Sequence, residues 1–375
     1  MNKISKLLGE RLYLKELNSI KKSNRFRSRK IYDNSLIDLA SNDYLGFASN
    51  KQLFENAYKR VLKEQYTSPK ASMLVNGYSL IHKEFEDALK KANNFEDALV
   101  VGSGFLANIS MIEALVRKGD VLFIDEDYHA SGMLACKLLD EKQVVIFNHN
   151  DYEDLKNKFE KTKNKGRKLI AIEGVYSMQG DLASKEIFDF ANKENALLIV
   201  DEAHSSGVLG DNLLGIFDYY KITPKNNHIK MGTLGKAYGS YGAYILASKN
   251  IIEFLLNRAK AVIYTTAPSL FDIALGLESL KYILENKEKL KERIASNLQV
   301  INDNLGINSH SLIILITIAD NKKVIEIQEI LKQDGFLVRA IRQPTVKSAI
   351  IRLIAKIDVS CEDLNKVSKI LKELR

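Results

Sequence analysis

Tryptophan is missing from the 375 residues, and cysteine occurs only twice, at Cys136 and Cys361. With no CxxC pair and no clustered His/Cys spacing, a disulfide scaffold and a structural zinc site are excluded. Only 4 prolines are present, too few for long disordered linkers, and 46% hydrophobic with 27% charged residues is the balance of a folded protein. Long apolar runs are missing too. The longest, 311–319, is about half of the ~20 residues that a bilayer-spanning helix requires, so no membrane partner is expected. Residues 1–10 set Lys3 and Lys6 beside a brief Leu7-Leu8 pair, well short of a signal-peptide apolar region, and a cytoplasmic location is the expectation.

Charge of one sign is only slightly in excess. Lys plus Arg outnumber Asp plus Glu by 55 to 47, for a net +8. The lysines are scattered, as at Lys156, Lys158, Lys161, Lys163, Lys287, Lys289 and Lys291, and form no basic block. That spread points to a lysine-rich composition and not to a nucleic-acid surface.

What is present is an alternation. At roughly 150 residues per domain the length predicts two or three domains. Short apolar runs at 98–101, 121–124, 144–147, 168–172, 196–200, 229–231 and 243–247 are separated by amphipathic stretches at 79–91, 105–117, 185–193 and 251–261. Nearly continuous apolar strands need cover on both faces, so this pattern predicts an α/β domain with a central sheet between helices. Residues 4–22 read as an amphipathic arm. Residues 269–304 read as one long helix or two, followed by strand 311–318, helix 321–333, strand 336–342, strand 349–355 and helix 360–374. The expected division is therefore an N-terminal segment at 1–40, a large α/β domain at 41–270, and a long helix with a small α+β domain at 271–375.

Ligands of open α/β sheets bind beyond the carboxyl ends of the strands, so the residues after each apolar run carry most information. After the first run comes Gly102-Ser103-Gly104-Phe105, a glycine turn opening a helix, where free amides and the helix dipole favour phosphate. After another come Asp201 and His204; a carboxylate at a buried strand end calls for a cationic partner. A third run leads into Gly232-Thr233-Leu234-Gly235-Lys236, and a lysine in a tight, partly desolvated loop can be a Schiff-base nucleophile. Each feature alone has a plainer reading: a turn, a salt-bridged acid with a structural histidine, and a surface lysine. Together they match the three demands of pyridoxal phosphate, namely a phosphate cradle, an acid for the ring nitrogen and a lysine. Thr233 adds a hydroxyl toward the phosphate.

The segments SNDYLGF (41–47), GYSLIHKEFE (77–86), SGFLAN (103–108), DYHASG (127–132), EGVYSMQGD (173–181), VDEAHSSGVLG (200–210), GTLGKAYGSYG (232–242) and IYTTAPS (263–269) follow in this order. In them the chain resembles the α-oxoamine synthases along nearly its whole length. The resemblance implies a fold type I pyridoxal-phosphate transferase, aspartate aminotransferase-like, with a mainly parallel seven-stranded sheet and a smaller C-terminal α+β domain. It implies that Lys236 holds the cofactor and later moves the substrate α-proton, that Asp201 pairs with the ring nitrogen, that His129 stacks on the ring, and that His204 and Ser177 face its phenolic oxygen. Gly104, Phe105 and Thr233 would hold the phosphate, with Thr266 reaching in from the partner of a homodimer. Asn42 and Arg352 would hold the amino-acid carboxylate, and Arg25 would lie near the acyl substrate.

AIRQPTV (340–346) followed by IIRL is most similar to the biotin-pathway branch of that family. That similarity implies a decarboxylative condensation of L-alanine with a pimeloyl thioester carried by coenzyme A or acyl carrier protein. Branches that use other amino acids and acyl groups remain the alternative. One departure is Met73, which stands where the family usually has an arginine. A rival of another class is a DEAH-type NTPase, since 201–204 spell that box, but no G-x-x-x-x-G-K-[ST] loop accompanies it.

Overall fold

Seven of the apolar runs form one sheet in the computed structural model, which describes residues 12–23, 25–343 and 346–374. The strands are β1 (Asp97–Val101), β2 (Val121–Asp125), β3 (Val144–Phe147), β4 (Lys168–Glu173), β5 (Leu197–Asp201), β6 (His228–Thr233) and β7 (Ala243–Ala247). Their order is β1-β7-β6-β5-β4-β2-β3. Strand β7 runs antiparallel to both of its neighbours, and the remaining paired strands are parallel. Strands β2, β5 and β7 are buried along almost every residue, as a sheet covered on both faces requires.

The described chain falls into two compact units, one ending at Ile37 and the other starting at Asp38. The first contains the helix Leu14–Lys22, none of whose residues is buried; residues 4–11 of the expected arm lie outside the described residues. The second holds the sheet and everything after it. The stretch 269–304 is one helix, Leu270–Leu305, 36 residues long and closed by Gly306 in the left-handed region.

After that helix come β8 (Ile313–Thr317), β9 (Arg339–Ile341) and β10 (Ile350–Ile354), an antiparallel sheet in the order β9-β10-β8. The helices Lys323–Gln333 and Cys361–Leu374 complete this part. The expected single strand 336–342 is broken at Val338. Its first half turns away from β10: the Leu337 carbonyl accepts from Leu39 N at 2.9 Å, whereas 339–341 pair with 350–352. Pro344 and Thr345 of the AIRQPTV segment lie outside the described residues.

Register sets what meets at the carboxyl edge. Val101 pairs with Ala243, and Ala243 with Thr233, so the turn after β1 and the end of β6 are separated by one strand only. On the other side Asp201 pairs with Met231 and Glu173 with Asp201. The ends of four strands therefore bring Gly104, Thr233, Asp201 and Glu173 to one edge of the sheet.

Candidate active site

Gly104 opens the helix Gly104–Leu115, and Ser103 caps it, its hydroxyl accepting from Leu106 N at 3.3 Å. The first amides of a helix have no intrahelical acceptor, so those of Gly104 and Phe105 are available to an anion. A methyl group at Gly104 would stand 3.6 Å from Thr233 Cβ and 3.7 Å from its Oγ1, so glycine keeps the space beside this hydroxyl open. Thr233 Oγ1 donates to the Gly242 carbonyl at 3.1 Å and accepts from Gly235 N at 3.3 Å, which shapes the loop that carries Lys236.

Asp201 is buried, and both of its oxygens are held. Oδ1 accepts from Ala203 N at 2.9 Å and Oδ2 from Asn108 Nδ2 at 2.7 Å. The second proton of that amide goes to Ser131 Oγ at 3.0 Å, and Asn108 Oδ1 accepts from Tyr128 OH at 2.9 Å. Asn108 is thus satisfied on every side, and a fully satisfied buried network fixes its members in place. Ser131 Oγ lies 2.7 Å from His129 Nδ1, which joins His129 to the same network. His129 is also the N-cap of the helix Ala130–Cys136. Burial lowers its pKa; Asp201 opposes that shift and Lys236 adds to it.

Lys236 Nζ is 2.7 Å from His204 Nε2, and His204 Nδ1 is 2.5 Å from Tyr44 OH. Burial lowers the Lys236 amine from 10.5 to about 8; Asp201 and Glu173 pull upward, and Arg352 pushes further down. Burial also drives His204 well below its ordinary value, helped by Lys236, Arg352 and His129. Burial raises the Tyr44 phenol. A neutral imidazole carries a single ring proton, so Tyr44, His204 and Lys236 form a line along which a proton can pass either way.

Arg352, on β10, is buried with only 6% of its surface exposed. Its Nε donates to the Ser177 carbonyl at 3.0 Å and its terminal nitrogen to Asn42 Oδ1 at 3.2 Å. Both acceptors are neutral, and among the described residues no carboxylate lies within ion-pair distance of this guanidinium. Ser177 contributes its backbone to these contacts, its N–H donating to Glu173 Oε2 at 2.9 Å.

The structure thus gathers Lys236, His204, Asp201, His129, Ser177, Arg352 and Asn42, with Gly104 against Thr233. Thr266 is exposed in the loop between the helices Lys260–Ile263 and Leu270–Leu305. That loop is tied back by Ala267 N to the Ala71 carbonyl at 3.0 Å and by His82 Nε2 to the Pro268 carbonyl at 2.9 Å. Arg25 is exposed in the first unit, its Nε donating to Ser23 Oγ at 3.0 Å. Met73 packs partly buried against the apolar core. Sequence reasoning missed Tyr44, Asn108, Ser131 and Glu173. Glu173 closes the apolar run KLIAIE just as Asp201 closes LLIVD, a signal that was available. Asn108 is a polar residue inside the otherwise apolar GFLANISMIEAL, a weaker one.

Glu202, the second letter of the DEAH box, points into the fold. It takes the Ile216 amide at 2.6 Å and pairs with buried Lys230 at 3.6 Å. Gly215, at φ 104°, allows this approach, since a side chain there would collide with Glu202 Oε2.

The aminotransferase class I and II family model matches residues 34–368. The chain belongs to that family. It is a pyridoxal-phosphate-dependent family, and the residues at the sheet edge suit that cofactor: a held acid, an amine of lowered pKa, and a glycine-lined helix start. The chain is 44% identical, over 96% of each sequence, to an 8-amino-7-oxononanoate synthase of Helicobacter pylori strain J99. Among solved structures it is similar to the 8-amino-7-oxononanoate synthase of Francisella tularensis, with a TM-score of 0.77 and 28% identity over 91% of this chain and 98% of that one. It is also similar to the serine palmitoyltransferase of Sphingomonas wittichii, with a TM-score of 0.87 and 25% identity over 97% and 98%.

Proposed function

We propose that the chain condenses L-alanine with a pimeloyl thioester, giving 8-amino-7-oxononanoate, carbon dioxide and the free thiol carrier. The observation that carries this is the buried Arg352, hydrogen-bonded only to neutral oxygens, in the same site as Lys236. A buried cation without an anion is costly, and a small carboxylate substrate supplies the missing charge. The choice of product follows the name of the Helicobacter pylori relative, 8-amino-7-oxononanoate synthase, and the choice of alanine and a pimeloyl thioester follows the resemblance carried by the 340–346 segment.

Pyridoxal phosphate, when bound, supplies an electron sink for the charge left at the α-carbon once its proton is removed. Lys236 would hold the cofactor through Nζ, and the same amine would take the substrate α-proton. His204, 2.7 Å away, accepts or returns that proton in line with Tyr44. Asp201, held on both oxygens, keeps the ring nitrogen protonated. His129 would cover a ring face, and His204 and Ser177 would face the phenolic oxygen. The Gly104 and Phe105 amides with Thr233 take the phosphate. Asn42 and Arg352 would hold the alanine carboxylate.

In this proposal two copies of the chain form the working unit, with Thr266 of one reaching the phosphate of the other. Leu74, Val75, Phe105, Leu106 and Tyr264 support this, being exposed apolar side chains on or next to the contacting elements Met73–Gly77, Gly104–Leu115 and Lys260–Ile263. The thioester carrier is coenzyme A or acyl carrier protein, and the protein works in the cytoplasm. Among the described residues no helix is long and apolar enough to cross a membrane.

Product analysis tests the proposal. Purified enzyme is supplied with alanine, glycine or serine and with pimeloyl, acetyl, succinyl or palmitoyl thioesters. The alanine and pimeloyl pair gives the highest kcat/KM. A preference for glycine or serine overturns the substrate assignment.

A further inference from the structure

Glu173 ends β4 and is buried, with 1% of its surface exposed. Its Oε2 accepts from the Ser177 amide at 2.9 Å, while Oε1 is buried with no hydrogen-bond partner. It sits beside Asp201 in the sheet register. From the Ser177 peptide the contacts continue: its carbonyl accepts from Arg352 Nε at 3.0 Å, and Arg352 reaches Asn42. Ser177 therefore has its N–H held by Glu173 and its C=O aimed at Arg352, two peptide units that meet at one Cα.

Ser177 lies on a tongue that leaves β4 and returns. The Tyr176 amide donates to the Asp181 carbonyl at 3.0 Å, and the Ala183 amide to the Gly174 carbonyl at 3.1 Å. These bonds close the base of the tongue, and Ser311 Oγ holds Gly180 further out. The amide of Ser177 itself is held by Glu173. Without that acceptor the 176–177 peptide keeps only the Gly180 N–H on its Tyr176 carbonyl, at 2.8 Å, and the Ser177 carbonyl that receives Arg352 Nε is held less tightly.

The charge on Glu173 matters as much as its position. A carboxylate here would lie against the Asp201 carboxylate and offset the positive charge of Arg352, weakening the pull on an incoming anion. Burial, followed by the Asp201 charge, raises the pKa of this acid well above its ordinary value.

We infer that Glu173 is a positioning residue: it holds the Ser177 N–H and so sets the direction of the Ser177 carbonyl, which orients the guanidinium of Arg352 that receives the amino-acid carboxylate. This rests on the carboxylate-binding role proposed above for Arg352.

The experiment is steady-state kinetics of the cofactor-loaded enzyme with alanine and pimeloyl thioester varied separately. Glu173→Ala raises the KM for alanine about tenfold or more, with kcat and the KM for the thioester within about threefold of wild type. Glu173→Gln, neutral and still an acceptor for Ser177 N–H, restores the alanine KM to within about twofold. Glu173→Asp, which withdraws the acceptor by one methylene, raises it again and carries the test if the alanine variant does not fold. An unchanged alanine KM in Glu173→Ala or Glu173→Asp overturns the inference, and so does a Gln variant as impaired as the Ala variant. Arg352→Lys separates the two levels. If it leaves the alanine KM unchanged, the role of Arg352 falls and this inference with it. If it raises KM while Glu173→Ala does not, only the role of Glu173 falls.

Discussion

Lys236 and Tyr44 are the two ends of a short line through His204, and each end makes its own prediction. Burial holds the Lys236 amine at about 8. The neutral amine is the nucleophile, so capture of pyridoxal phosphate by the cofactor-free protein speeds up as pH rises through about 8 and levels off above it. A lysine at its ordinary value would keep gaining until about 10.5. Stopped-flow absorbance from pH 6.5 to 10.5 checks this; a rate still climbing past pH 10 contradicts it. The same lowering has a stability sign. Between about 8 and 10.5 the unfolded chain binds more protons at this lysine than the folded one does, so this group favours folding as pH rises across that window. At the other end, Tyr44→Phe deletes the hydroxyl facing His204 Nδ1. The loss of this partner lowers kcat by about tenfold or more and stability by about 1 kcal/mol, measured by initial rates and by denaturant unfolding. An unchanged kcat removes Tyr44 from the relay.

Helix starts do the next part of the work. His129 is an N-cap and also a member of the Asp201 network, and the two duties can be separated. Asparagine caps helices well, so His129→Asn keeps the melting temperature within about 3 °C of wild type while kcat/KM falls by about two orders of magnitude. If activity survives, the imidazole was there only to cap. At the helix Gly104–Leu115, Gly104→Ala places a methyl 3.6 Å from Thr233 Cβ, ordinary contact that the fold accepts. It fills the space beside the free amides, so pyridoxal phosphate binding weakens about tenfold or more with little change in melting temperature, as fluorescence titration would report. At this scale most of the structure was legible in the sequence. Buried parallel strands are continuous apolar runs, and their ends carry the polar residues, so both the seven strands and the positions of Asp201 and Lys236 could be seen. Strand 336–342 was not legible as two pieces, because its break depends on Leu337 bonding to Leu39, almost three hundred residues away in the chain. The same applies to Tyr44 and Asn108, whose importance comes from contacts 160 and 93 residues distant.

On the scale of the whole molecule, the proposal needs a second copy. Leu74, Val75, Phe105, Leu106 and Tyr264 are exposed apolar side chains on stretches of the chain that contact one another, and burying such surface against its own symmetry mate gives an isologous dimer. Light scattering is expected to return about twice the 42.4 kDa chain mass. Introducing charge with Val75→Glu shifts the particle toward monomer and weakens cofactor retention together; a fully loaded monomer would remove Thr266 of the second copy from the site. The central claim is narrower: a lysine in the glycine-lined loop after β6 anchors pyridoxal phosphate opposite Asp201. The measurement that tests it most directly is borohydride reduction of the cofactor-loaded protein followed by peptide mapping. A single reduced adduct on Lys236 is expected; an adduct on any other lysine, or none at all, overturns the assignment of Lys236 as the anchor.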